Sequence, residues 1–140
     1  MKNSFVSFNF IKLSKSEISG KIRLSSSPRK IKIKIELKSK IKCSDTYIIY
    51  SIQCKVCSKQ YVGQTSNTAA KRFNSHFYDV VHYLNKPVAR HFNSRNHCVS
   101  DMILTPFEKL YVKDKTMLNV RERYWILEKE TAIHGLNINV

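Results

Sequence analysis

Apolar and polar positions alternate strictly through KIKIKIELKSKIK, residues 30–42: Ile31, Ile33, Ile35, Leu37 and Ile41 fall on one side, with lysines mostly on the other. A period of two is that of a half-buried strand. Such a strand either presents a lysine row to phosphates or is an edge strand whose lysines guard against aggregation. Ahead of it, SSSPRK (25–30) reads as a turn. Further on, Tyr47 to Gln53 and Gln60 to Gly63 read as two strands joined by CKVCSK, an antiparallel hairpin.

The period then lengthens. A helix capped at Ser66 or Asn67 and running to about Leu84 would bury Ala69, Phe73, Phe77, Val80 or Val81, and Leu84. Arg72 and His76, four apart, share its neighbouring face. Pro87 suits the first turn of a short helix with Val88 and Phe92 inward. Met102 to Tyr111 alternates in part, and Pro106 limits it to an edge strand. A last helix over 116–133 would turn Leu118, Tyr124 or Trp125, Leu127 and Ile133 inward.

Composition adds charge to this outline. Lys and Arg number 25 against 10 acids in 140 residues, a net +15 of which +10 lies in residues 1–42. The chain therefore divides into a basic leader, 1–42, and a milder body, 43–140, of a size for one core. Such a surface attracts a polyanion, with nucleic acid first and an anionic membrane second. No run of 18 apolar residues exists to span a bilayer, and the opening MKNSFVSFNFIKL lacks the form of a secretory signal. The expected location is intracellular, in the nucleus. The four cysteines then read as thiols or metal ligands.

One metal set stands out. Cys54 and Cys57, two residues apart in a tight turn, can grip zinc from one side, and His91 and His97 can complete a tetrahedron. Cys98 is a possible substitute ligand and Cys43 a weaker one; the alternative is two reduced thiols and two solvated histidines. Four protein ligands leave no open position for water, so a zinc ion here would be structural.

Five further blocks, IIY (48–50), YVG (61–63), KRFNSH (71–76), RERYWI (121–126) and GLN (135–137), resemble in order and spacing the GIY-YIG nuclease superfamily. The CKVC insertion and PVARHFNSRNH look like the version carried by Penelope-like retroelements. The resemblance implies an α/β (α+β) domain with a three-stranded antiparallel sheet flanked by helices, hydrolysing DNA phosphodiesters with Mg2+ or Mn2+. It implies that Tyr50 and Tyr61 are the signature tyrosines, one of them acting as or positioning the base. Arg72 would stabilise phosphate charge and His76 assist positioning or proton transfer. Glu122 would hold the catalytic cation, and Asn137 would brace the site.

A tyrosine base needs help, since only about one phenol in a thousand is ionised at pH 7. Arg72 and the basic surroundings are expected to favour the phenolate. Three positions depart from the pattern: Ile48 replaces the first glycine, Lys129 a usual leucine and His134 a frequent proline. Lys129 must snorkel or leave the core short of a large side chain. The rival expectation is a zinc-stapled nucleic-acid-binding module of the same fold without turnover, from a decayed or domesticated element.

Overall fold

The computed structural model describes residues 4–9, 32–37 and 40–138. The SSSPRK turn and the lysine side chains between 30 and 38 lie outside the described residues. Five strands form one sheet: β1 (Ser4–Asn9), β2 (Lys32–Leu37), β3 (Ile48–Cys54), β4 (Gln60–Thr65) and β5 (Met102–Lys109), in the order β1-β2-β5-β3-β4. The antiparallel trio β5-β3-β4 is the predicted three-stranded sheet. The alternating strand extends it, because β2 pairs parallel to β5 and carries the fully buried Ile35. β1, unforeseen in the sequence, pairs antiparallel to β2.

Pro106 does not confine β5 to an edge. β5 lies between β2 and β3, and β2 pairs only with Ile103 and Leu104, so the proline lies past that ladder. On the other side, the register with β3 jumps from Ile49↔Glu108 to Tyr50↔Pro106, a bulge that skips Phe107. At a bulge the strand tolerates a residue with no N–H to give.

Alternation in β3 splits the core between two faces. Ile48, Tyr50, Ile52 and Cys54 face α1 (Ala69–Val81) and α2 (Pro87–Phe92), which contribute Phe73, Phe77, Val88 and Phe92. Ile49 and Val62 face α3 (Lys115–Glu128), which contributes Leu118 and Ile126. The α1 stripe follows the predicted spacing, with two boundary differences: Thr68 is the N-cap, its hydroxyl accepting from Lys71 N at 3.2 Å, and the helix ends before Leu84.

The predicted last helix is divided. α3 stops at Glu128, Glu130 takes a left-handed φ of 53°, and α4 (Thr131–His134) follows. Leu127 and Ile133 are exposed, contrary to expectation; the inward positions are Leu118, Ile126 and half-buried Trp125. Lys129 Nζ lies 5.0 Å from the Phe107 ring centroid and 5.7 Å from that of Trp125. The lysine thus covers aromatic faces in place of a leucine and keeps its charge at the surface.

The burial of Ile35 yields a test of whether the leader strand is part of the core. Ile35→Ala should cost about 2–5 kcal/mol in denaturant unfolding, whereas a change within ~0.5 kcal/mol would mean that β2 adds nothing to stability.

Candidate functional site

Tyr50 on β3 is paired directly with Gly63 on β4, and Ile52 with Tyr61, so both tyrosines rise from one face of the sheet. Glycine is required by space at this point. A Cβ at Gly63 would stand 2.5 Å from Tyr50 Cζ and Oη and 2.8 Å from Tyr61 Cε1. The Tyr50 and Tyr61 ring centroids are 6.5 Å apart, and each lies 5.6 Å from the His76 ring.

Above them, Arg72 and His76 descend from α1. Arg72 Nε–H donates to Tyr50 Oη at 2.9 Å, and Tyr50 Oη lies 2.6 Å from His76 Nε2. Tyr50 accepts from Arg72, and with the imidazole proton on Nδ1 it donates its own proton to His76 Nε2. His76 is 4% exposed, so its ring is shut off from solvent. Burial, aided by the charges of Arg72 and Lys86, lowers its pKa from 6.5 to about 3, and the ring is neutral.

Burial also decides the state of the phenols. It raises the pKa of Tyr50, which is fully buried, and that of partly exposed Tyr61, outweighing Arg72, which acts in the opposite direction on both. The expected phenolate is therefore disfavoured, and both tyrosines are protonated at neutral pH. Desolvation is the larger effect because the Tyr50 ring packs against Phe73, His76 and Tyr61, and the Tyr61 ring against Tyr50 and His76.

Glu122 reaches the same centre from α3. Burial raises its pKa while Arg72 lowers it, and its charge in turn raises Tyr50 and Tyr61. No described residue forms a hydrogen bond or ion pair with its carboxylate. A half-buried carboxylate that no described residue pairs, within the electrostatic reach of Arg72, fits Mg2+, which takes one or two protein carboxylates and keeps several waters. A polar cavity of about 250 Å3, lined by Gln64, Lys71, Arg72 and Ser75 among others, opens beside Arg72.

Asn137 braces the strand that carries Tyr61 and Gly63. Its Oδ1 accepts from Val62 N at 2.8 Å and its Nδ2 donates to Val62 O at 2.9 Å. β4 is the outer strand of the sheet at this side, and the amide satisfies backbone groups that would otherwise be unpaired.

Cys54, Cys57, His91 and His97 form a second cluster, their ligand atoms all within 4.8 Å of one another. Cys54 ends β3, Cys57 lies in the hairpin loop and His91 in the last turn of α2; Val56 N–H donates to Cys54 Sγ at 3.4 Å. His97 Nδ1 lies 3.0 Å from the Arg95 carbonyl, which fixes the proton there and leaves Nε2, buried and with no hydrogen bond of normal geometry among the described residues, turned to the cluster. An orphaned buried acceptor beside two thiols and an imidazole fits a tetrahedral zinc ion. Burial raises the Cys54 thiol, so metal binding would release protons. Cys98 instead bonds Ser100, and Cys43 packs on the core; neither joins the cluster.

The sequence matches the GIY-YIG catalytic domain over residues 46–137, and the chain belongs to that family. Among solved structures it is similar to the catalytic domain of the homing endonuclease I-TevI, with 26% identity over 68% of this chain and 100% of that one and a TM-score of 0.58. A single-substitution mutant of the catalytic domain of the intron endonuclease I-TevI shares 28% identity over 65% of this chain and 91% of that one, with a TM-score of 0.56. No curated protein matches the chain. The fold is thus that of a nuclease domain, and no helix among the described residues is long and apolar enough to cross a membrane.

The depressed His76 pKa carries a stability signature. Below pH 6.5 the unfolded chain takes up a proton that the folded imidazole refuses until about pH 3. Stability present above pH 6.5 is therefore lost on acidification, by up to about 1.4 kcal/mol per pH unit. His76→Asn should lack this contribution, so the unfolding free-energy gap between wild type and variant should narrow as pH falls below 6.5. A gap independent of pH would show that His76 titrates normally.

Proposed function

We propose that this protein is a divalent-cation-dependent DNA endonuclease that nicks or cuts phosphodiester bonds, of the type carried by Penelope-like retroelements. The observation that carries this reading is the hydrogen-bonded row Arg72, Tyr50 and His76 within electrostatic reach of Glu122, whose carboxylate no described residue pairs. In this reading a structural zinc ion, held by Cys54, Cys57, His91 and His97, ties the hairpin loop to α2. The element type rests on that CKVC insertion and on the PVARHFNSRNH segment, and DNA as substrate implies a nuclear place of action.

Each side chain then has a task. Arg72 neutralises charge as it develops on the phosphate, strengthened by its low-dielectric setting. A cation on Glu122, Mg2+ or Mn2+, would polarise the phosphate and stabilise the leaving oxygen. The attacking water would give its proton to Tyr50 Oη as Tyr50 passes its own to His76 Nε2, an imidazole that is a poor base in the free protein and that the negative charge of a bound phosphate would make more basic, so no standing phenolate is needed. Tyr61 walls the site beside both rings, and Asn137 holds β4 in register. The basic leader, 1–42, supplies phosphate contacts to the nuclease body, 43–140.

One observation favours a second reading, a zinc-stapled binding module without turnover: Tyr50 is wholly enclosed in the DNA-free protein. Supercoiled plasmid separates the two. With Mg2+ the wild type should nick, Glu122→Ala should lose about 100-fold or more in rate, and His76→Ala on the order of 100-fold, while DNA binding persists. Nicking that survives in Glu122→Ala or without a divalent cation contradicts the proposed chemistry, and binding without any nicking supports the module.

The purified protein should contain one zinc per chain, and its removal should cost stability on the order of 10 kcal/mol, enough to unfold a domain of this size. A metal-free preparation that melts as cooperatively and as high as the native one contradicts the zinc assignment.

A further inference from the structure

Next to the hairpin loop that carries Cys57, a cavity of about 150 Å3 opens at the start of β4, where α3 gives way to α4; Lys59, Gln60, Lys129, Thr131, His134 and Gly135 are among its lining residues. That volume is well above the ~10–15 Å3 one water requires. Two lysines and a histidine are among its wall residues, and no carboxylate lines it. The Thr131 residue is 2% exposed, and its Oγ1 is buried without any hydrogen-bond partner. A buried hydroxyl with no acceptor is unfavourable, and the exposed lysines give the mouth of the cavity a positive charge.

The backbone around the cavity is already committed. Leu136 N–H donates to Gln60 O at 2.8 Å and Asn137 N–H to Thr131 O at 3.1 Å. Gly135 closes the wall, since a Cβ there would stand 2.3 Å from Gln60 O and 2.8 Å from Thr131 O. The Thr131 hydroxyl therefore lacks an acceptor, and the exposed lysines beside it attract negative charge. A phosphate group offers both, with oxygens that accept from hydroxyl, ammonium and imidazole donors together.

Position makes the cavity relevant to the nuclease site. Gln60 and Gly63 lie three residues apart on the same outer strand, ~10 Å at ~3.3 Å per residue. We infer that this cavity is a backbone-phosphate subsite, which grips the substrate strand one or two nucleotides from the position to be cut. The inference rests on the reading that the substrate is DNA, and it assigns Thr131, Lys59, Lys129 and His134 to binding rather than to chemistry.

The test uses the full chain carrying Glu122→Gln, so that DNA is bound without being cut. Thr131→Val keeps the shape of the side chain and removes the orphaned hydroxyl. It should raise the melting temperature of the DNA-free protein by several degrees, ~4 °C or more, yet weaken binding of a fluorescent duplex roughly threefold to tenfold. Lys59→Gln, at an exposed position, should lower the log–log salt slope of binding by about 1. Unchanged DNA affinity and salt slope in the two variants would overturn the subsite, as would a Thr131→Val protein that melts lower yet binds normally. If the parent binds no duplex, the nuclease reading fails first, and inorganic phosphate then tests the cavity separately. Saturable amide shifts at Thr131 and His134 that vanish in Thr131→Val sustain the anion site; their absence overturns it.

Discussion

The site depends on a side chain that is not there. Tyr50 and Tyr61 occupy the space in which any Cβ at position 63 would lie, and the cross-strand pairing of Tyr50 with Gly63 leaves them no alternative on that face. With the phenols placed, the Tyr50 hydroxyl stands where Arg72 and His76, one helical turn apart on α1, both reach it. Substituting the glycine would displace the hydroxyl on which the two α1 side chains converge. Sheet register, a helix stripe and one missing methyl thus fix the same few ångströms.

Enclosure has a chemical consequence. A phenol buried this deeply resists ionisation, and the guanidinium beside it only partly offsets that resistance. In the proposed route the proton moves through the phenol rather than being shed in advance. The neutral imidazole at its end is neutral for the same reason, exclusion from water next to positive charge. The metal-like cluster lies at the far end of β3, where a bound ion would stabilise the hairpin without entering the chemistry.

Much of this was legible in the sequence wherever a pattern repeats. The lysine–isoleucine alternation became β2, the α1 stripe holds from Ala69 to Val81, and the Cys54, Cys57, His91 and His97 ligand atoms meet. What was not legible depended on tertiary partners. Pro106 lies in an inner strand because a bulge and a short neighbouring ladder remove the need for its N–H, and neither is visible locally. Leu127 looked inward because hydrophobicity suggested it, whereas the inner stripe of α3 runs through Leu118, Trp125 and Ile126, with charged Glu122 and Lys129 serving that side. Thr131 gave no signal at all, since an orphaned hydroxyl is a property of its surroundings.

The central claim is that a carboxylate from α3 and a guanidinium from α1 meet at the two phenols to seat a cation and a phosphate. Paramagnetic broadening of backbone amide signals by substoichiometric Mn2+, recorded on zinc-loaded protein, addresses that convergence directly. The account predicts loss of signal centred on Glu122, Gly63 and Arg72 and competed by Mg2+. Broadening confined to other acidic positions such as Asp114 or Glu128, with Gly63 and Arg72 untouched, would contradict it.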